Sequence, residues 1–389
     1  METFICPICG NSDEKYIGVR NGHRYCRKCL AFQGQEAIGD ISYPKSAPFH
    51  LDYDLSEEQK ILSDQLVENY KNGINTLVHA VCGSGKTEIV LNVIRYAVSC
   101  GERVGFVIPR RDVVIEIHER IQSIFTKNKV VAVYGGHTEI IEGDIVILTS
   151  HQLFRYYNYF DLLIMDEIDA FPFRGNDLLQ IFFDRSIRNK YIMMSATPYQ
   201  DVVKKFSKDG FQIVELFSRF HKHPLPVPEV MVGKSFIKYL LLIKEVRRFL
   251  KVNKPIFIFT PTIEMCEEIF SFLSVFFSKG TYVHSKCKDR TEKINKFKDG
   301  QYNFLVTTAV LERGVTFKNL QVIVFRADHR IYDSHGLIQI AGRVGRKKDA
   351  PEGEVIYIVE KSNEEIEESI REIERANKSL QDMLQRDKS

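Results

Sequence analysis

Residues 80–87 read Ala80-Val-Cys-Gly-Ser-Gly-Lys-Thr87, a glycine-rich turn that follows the apolar and β-branched run Thr76 to Val81 and opens a helical one, Glu88 to Val98. Small residues in such a turn let backbone N–H groups face phosphates, and the positive end of the next helix adds to the attraction. Gly83, Ser84 and Gly85 form the cradle, Lys86 reaches the β- and γ-phosphates, and the Thr87 hydroxyl binds Mg²⁺. Chance places glycines in many turns, but Gly-Lys-Thr between a strand and a helix is a narrower pattern. Ala80 stands where the usual pattern has glycine, a change between small residues. The expected ligand is ATP with Mg²⁺.

A second anchor for the metal lies downstream. The strand-like run from Leu162 ends in Asp-Glu-Ile-Asp, Asp166 to Asp169. A carboxylate at the end of a buried strand beside a phosphate loop is where Mg²⁺ needs its other protein ligand. Asp166 is then the metal partner, and Glu167 positions or deprotonates the attacking water. Hydrolysis also needs positive charge on the γ-phosphate in the transition state, which neither stretch supplies. Arginines appear in Gln339-Ile-Ala-Gly-Arg-Val-Gly-Arg346, where Arg343 and Arg346, three apart on an expected helix, project to one side and could complete the site.

Outward from these stretches, short apolar runs alternate with helix-length segments. The first series is Thr76 to Val81, Val104 to Ile108, Val130 to Tyr134, Ile145 to Thr149, Leu162 to Asp166 and Tyr191 to Ser195. The second is Pro255 to Thr260, Gly280 to His284, Asn303 to Thr307, Gln321 to Phe325 and Glu354 to Val359. Continuous apolar runs of this length are strands buried on both faces, so the chain is α/β with two parallel sheets in tandem. Between the series, His221 to Glu229 carries three prolines at alternate positions and reads as an extended linker. The expected divisions are 1–50, 51–220, a linker at 221–233, 234–361, and a helix at 362–389. That helix is capped at Ser362 or Asn363, and its apolar positions Ile366, Ile370, Ile373, Leu380 and Leu384 pack back on the second sheet.

A chain of 389 residues with 44% apolar and 27% charged residues is globular, and its net charge of +3 does not by itself imply a nucleic-acid partner. No apolar run approaches the length that crosses a bilayer, and Met1-Glu2-Thr3 does not begin a signal peptide, so a cytoplasmic location is expected. Four of eight cysteines cluster as Cys6-Pro-Ile-Cys9 and Cys26-Arg-Lys-Cys29. Two CxxC pairs at this spacing close four thiolates around a structural Zn²⁺ and leave no open position for catalysis. Lys15, Arg20, His23, Arg24, Arg27 and Lys28 lie in the same segment and suit phosphate contact if the chain handles nucleic acid.

Taken in order, Ala80 to Thr87, Asp166 to Asp169, Ser195-Ala-Thr197, Thr307 to Thr316 and Gln339 to Arg346 resemble the motifs of superfamily 2 helicases over roughly residues 55 to 346. The resemblance implies two RecA-like lobes with ATP at their interface and a single strand lying across both. It implies that Ser195 and Thr197 couple nucleotide state to strand binding, that Gln59 reads adenine, and that Gly314 and Gln339 face the nucleotide. It also places strand contacts at loops following strands: Arg110, Arg111, Gly135, Gly136, Thr149, Ser150 and His151 in the first lobe, and Thr260, Thr307 and Thr308 in the second. Small and hydroxyl residues there hold phosphates without reading base sequence.

The four-cysteine module ahead of these motifs, with Asp-Glu-Ile-Asp and Leu311 to Thr316, is similar to the late competence ComFA family. That resemblance implies a cytosolic ATPase, peripheral at the inner membrane face, that drives incoming single-stranded DNA with other competence proteins at the uptake channel. Whether it forms an oligomer is left open. Two other readings remain: a primosomal-type replication-restart helicase, which carries its cysteines between motifs, and a zinc-dependent DNA-binding adaptor whose ATP site acts only as a clamp.

Overall fold

A computed structural model describes residues 4–39, 45–51, 53–81, 83–170, 172–196, 211–217, 219, 222–308 and 317–386. The chain separates into two compact units, Met1–Ala80 with Gly85–Leu216 and Val81–Ser84 with Phe217–Ser389.

In the first unit, a small hairpin of β1 (Ile17–Arg20) and β2 (His23–Cys26) precedes α1 (Glu57–Lys71). Ser56 starts α1 through a capping box, its hydroxyl accepting from Gln59 N while Gln59 Oε1 accepts from Ser56 N. There follow β3 (Thr76–Ala80), α2 (Lys86–Ser99), β4 (Val104–Ile108), α3 (Arg111–Ile124), β5 (Val130–Val133), β6 (Ile145–Thr149), β7 (Phe160–Met165), α4 (Asp177–Ser186), β8 (Ile187–Ser195) and β9 (Gln212–Leu216). The seven-stranded sheet runs β5-β6-β4-β7-β8-β3-β9, with every pairing parallel. β4 and β6 are buried at every position, as strands covered on both faces must be.

The second unit contains β10 (Glu229–Val232), α5 (Ile237–Lys251), β11 (Ile256–Phe259), α6 (Ile263–Ser274), β12 (Gly280–Val283), α7 (Arg290–Lys298), β13 (Phe304–Thr307), β14 (Gln321–Phe325), α8 (Ser334–Ala341), β15 (Val355–Val359) and α9 (Glu364–Arg386). Its six-stranded sheet runs β10-β15-β14-β11-β13-β12, again with parallel pairings. Each unit is a RecA-like lobe. The segment expected as linker at 221–233 supplies the edge strand β10, in which Glu229 pairs with Ile356 of β15.

Helix α9 packs on its own unit as expected. Asn363 Oδ1 caps it by accepting from Ile366 N at 3.0 Å, and Ile366, Ile373 and Leu380 are buried. Asn377 pairs with the backbone of Leu225, accepting from its N–H at 2.7 Å and donating to its carbonyl at 2.9 Å.

Candidate nucleotide site and zinc centre

β3 ends at Ala80 and α2 begins at Lys86, so the phosphate loop joins an inner strand, paired on both sides, to a helix start. Gly83 and Gly85 have φ of +83° and +85°, a region costly for any residue with a Cβ. At Gly85 a Cβ would also strike the Gln59 side-chain amide. No side chain caps α2, so its first N–H groups are left to the loop's ligand. The Lys86 amine donates to the Ala80 carbonyl at 3.4 Å. Gln59 lies against the loop at Gly85, and its carbonyl oxygen is engaged in the α1 capping box.

Asp166 follows β7 directly, its N–H held by the Val107 carbonyl at 2.9 Å. Burial pushes the Asp166 carboxyl up to about 6, opposed by the nearby Lys86 ammonium. A bound cation would favour the ionised form. Glu167 sits at φ +56°, and its N–H donates to Asp166 Oδ1 at 2.8 Å. A non-glycine residue held there stores strain of the kind found at reactive sites. Sequence reasoning missed the next link: the Ser195 hydroxyl, fully buried, donates to Asp169 Oδ1 at 2.9 Å. The coupling candidate is thereby tied to the last acidic residue of the Asp166 to Asp169 stretch. Its companion Thr197, and Gly314 with the rest of 309–316, lie outside the described residues.

The candidate strand contacts of the first lobe gather at one edge, because β4, β5 and β6 are parallel neighbours whose C-terminal ends carry them. Arg110 caps α3, and the Arg111 guanidinium lies over the Tyr134 ring at 4.8 Å. Gly135 and Gly136 face open space. Two expectations need correction. Thr149 and Ser150 are buried, so only His151 of that trio is exposed. In the second lobe Thr260, Thr307 and Thr308 are buried as well, and two of their hydroxyls bond the backbone: Thr260 Oγ1 donates to the Thr307 carbonyl at 3.2 Å and Thr307 Oγ1 to the Thr308 carbonyl at 3.0 Å. Threonines at strand ends satisfy local carbonyls before they reach solvent.

The arginines also depart from expectation. Helix α8 carries the buried Gln339 but ends at Ala341, with Gly342 as its C-cap, so Arg343 and Arg346 do not share a helix face. They lie on the turn that follows, where Gly345 takes φ +68°. Arg343 is buried, and Arg346 Nε donates to the Gly342 carbonyl at 2.9 Å.

The cysteines of the hairpin segment converge. Cys6, Cys9, Cys26 and Cys29 are buried with all four Sγ atoms within 4.8 Å of one another. Cys6 and Cys29 sulfurs stand 3.8 Å apart and Cys9 and Cys26 sulfurs 3.7 Å. A tetrahedron with Zn–S bonds of about 2.3 Å has edges of about 3.8 Å, so the set fits zinc. Burial pushes the Cys29 thiol far up, and a cation is what would bring such a group to the thiolate form. The module is docked on its own lobe. Phe32 packs edge-on to Phe182 at 4.9 Å, and Arg185 Nη1 donates to the Ile8 carbonyl at 2.7 Å, both partners coming from α4. Arg155 Nη1 donates to the Gln35 carbonyl at 2.7 Å. Phe32 also stacks on His151 at 6.4 Å, and although the residue is exposed, partial desolvation of its ring lowers the His151 pKa. Nothing in the spacing of the sequence announced this docking.

Comparison with known proteins agrees with the geometry. Residues 52–200 match the family described as Type III restriction enzyme, res subunit, and residues 238–348 match the Helicase conserved C-terminal domain. The chain is 32% identical to competence protein ComFA of Streptococcus pneumoniae, over 96% of this chain and 90% of that one. It is likewise 32% identical to ComFA of Bacillus subtilis, over 91% and 81%. Among solved structures, S. cerevisiae Dbp5 bound to RNA and ADP BeF3 shares the fold with a TM-score of 0.61 at 16% identity, covering 83% of this chain and 92% of that one. The chain is an ATP-dependent enzyme of the superfamily 2 helicase and translocase class. With a third of its residues shared along nearly its whole length, it belongs to the ComFA family of competence proteins.

Proposed function

We propose that this chain is an ATP-driven motor that moves along single-stranded DNA and draws it inward during natural transformation. The observation that carries the reading is the first lobe's juxtaposition of Lys86, Asp166 and the Asp169–Ser195 link with a loop edge suited to phosphates. Lys86 engages the β- and γ-phosphates, while Thr87 and Asp166 hold Mg²⁺. When bound, Mg²⁺ neutralises charge on the phosphate oxygens. Glu167 orients the attacking water and takes its proton. Arg343 and Arg346 supply positive charge to the γ-phosphate as the bond breaks. Asp169 and Ser195 carry the change in phosphate occupancy toward the strand.

Backbone N–H groups of the Gly135-Gly136 turn, with Arg110, Arg111 and His151, hold the DNA by its phosphates and accept any sequence. Cys6, Cys9, Cys26 and Cys29 hold one Zn²⁺ that supplies folding energy to the module. Among the described residues no helix is long and apolar enough to cross a membrane. A place at the inner membrane face, through other competence proteins, is part of this reading. The reading is tested by ATP turnover with single-stranded DNA, single-stranded RNA and blunt duplex at one salt concentration. Turnover should rise most with DNA strands and depend on their length. Stronger stimulation by RNA would reject the DNA reading, and binding of both ligands without turnover would favour a clamp.

A further inference from the structure

Arg219, between β9 and β10, is only 1% exposed. Its Nη1 donates to the carbonyls of Val344 at 2.9 Å and Gly345 at 3.1 Å, and its Nη2 to the carbonyl of Gly342 at 3.3 Å. These acceptors frame the turn that carries Arg343 and Arg346. The regular bonding of α8 runs out there: Arg343 N and Val344 N reach back three residues, to Ile340 and Ala341, at 3.1 and 3.2 Å. The Gly342 carbonyl accepts from both Arg219 Nη2 and Arg346 Nε, so the two guanidiniums meet at one oxygen. On the other side of the turn, a Cβ at Gly345 would strike the Pro351 carbonyl. The turn is thus confined between a backbone wall and an arginine fork.

Burying a guanidinium is costly unless its donors are met. A planar fork of fixed donors can span three carbonyls in a way a lysine ammonium cannot. We infer that Arg219 is a positioning residue for ATP hydrolysis, holding the 342–346 turn in the geometry from which Arg343 and Arg346 act. The inference rests on the role proposed above for those two arginines. Arg219 itself need not touch the nucleotide. Its loss acts through the turn and appears in kcat rather than in the binding of ATP or DNA.

The test compares Arg219→Lys, Arg343→Ala, Arg346→Ala and the double variant Arg219→Lys/Arg346→Ala in the full chain, by steady-state ATPase at saturating single-stranded DNA and by thermal unfolding. Arg219→Lys should lower kcat on the order of tenfold, with KM for ATP and the DNA concentration for half-stimulation changed less than about twofold. The double variant should lose less than the product of the two single losses, because Arg219 acts in part through Arg346. Wild-type kcat in Arg219→Lys, with the single arginine variants impaired, would overturn the role of Arg219 alone. So would a double-variant loss equal to the product of the single losses. Wild-type kcat in Arg343→Ala and Arg346→Ala would overturn the arginine reading and this inference together. Should Arg219→Lys unfold below the assay temperature, Arg219→Gln is read by the same criteria.

Discussion

The nucleotide loop and the zinc centre both announce themselves in short stretches of sequence, yet different forces hold them. Lys86 and Asp166 stand at the ends of elements whose neighbours Val78, Ile89, Val90 and Ile164 are fully buried, so the sheet core fixes their backbones with or without ligand. The four cysteines close a module whose own buried apolar residues, besides the cysteines, come to little more than Ile17, with Phe4, Ile8 and Leu178 packed around the sulfurs. For a cluster so poor in apolar core, a metal held by the four thiolates would be the main source of folding energy. Sites equally legible in sequence should therefore differ in what their loss does: the first is expected to lose chemistry and keep its fold, the second to lose its fold.

The largest expected effect follows for the loop. Lys86→Ala should lower ATP turnover by at least roughly a hundredfold, through lost charge stabilisation of the phosphates, while leaving the unfolding midpoint unchanged. Near-normal turnover in the folded variant would remove Lys86 from the site. The zinc centre should behave in the opposite manner. Cys6→Ser should abolish bound zinc by metal analysis and expose the amides of residues 4–39 to hydrogen exchange, with DNA affinity falling further than basal ATPase. Protein that retains its exchange protection without metal would contradict the contrast.

A smaller effect is expected where strand and nucleotide are coupled. Ser195→Ala leaves the Asp169 carboxylate short of one hydrogen bond in a buried place, at a cost of about 1 to 3 kcal/mol. Turnover without DNA should survive, and the stimulation by DNA should shrink. Equal loss in both would make Ser195 structural only. The smallest effect concerns protons. Asp166 titrates near 6, above its ordinary value, so it is protonated as pH falls through that point and its ionised form is regained above it. Because Mg²⁺ needs the ionised form, its apparent affinity in the ATPase assay should weaken by about tenfold per pH unit below 6. An affinity flat between pH 5 and pH 7, as roughly bracketing that value, would place the metal on other ligands.

What the sequence made legible was what is local in the chain. Gly-Lys-Thr after a strand, two CxxC pairs and strands buried on both faces are patterns a few residues long, and each stands where it was expected. β9 and β10 were missed because edge strands lack two-sided burial: Gln212, Ile213 and Glu215 are exposed, and β10 lies in a proline-rich stretch that reads as linker. The three-residue spacing of Arg343 and Arg346 suggested one face of a helix that Gly342 in fact ends. Hydroxyls at Thr149, Ser150, Thr260 and Thr307 looked available because a sequence does not say which strand ends are covered. Arg219 was invisible for a different reason. Its acceptors lie 123 to 126 residues away, and no spacing rule reaches so far.

The central claim is that hydrolysis is converted into movement along a single strand. It is tested most directly by ATP-fuelled displacement of streptavidin from oligonucleotides biotinylated at one end or the other. The account predicts displacement from one end only, dependent on hydrolysable ATP and absent in Lys86→Ala. Tight binding of ATP and DNA with displacement from neither end would contradict it.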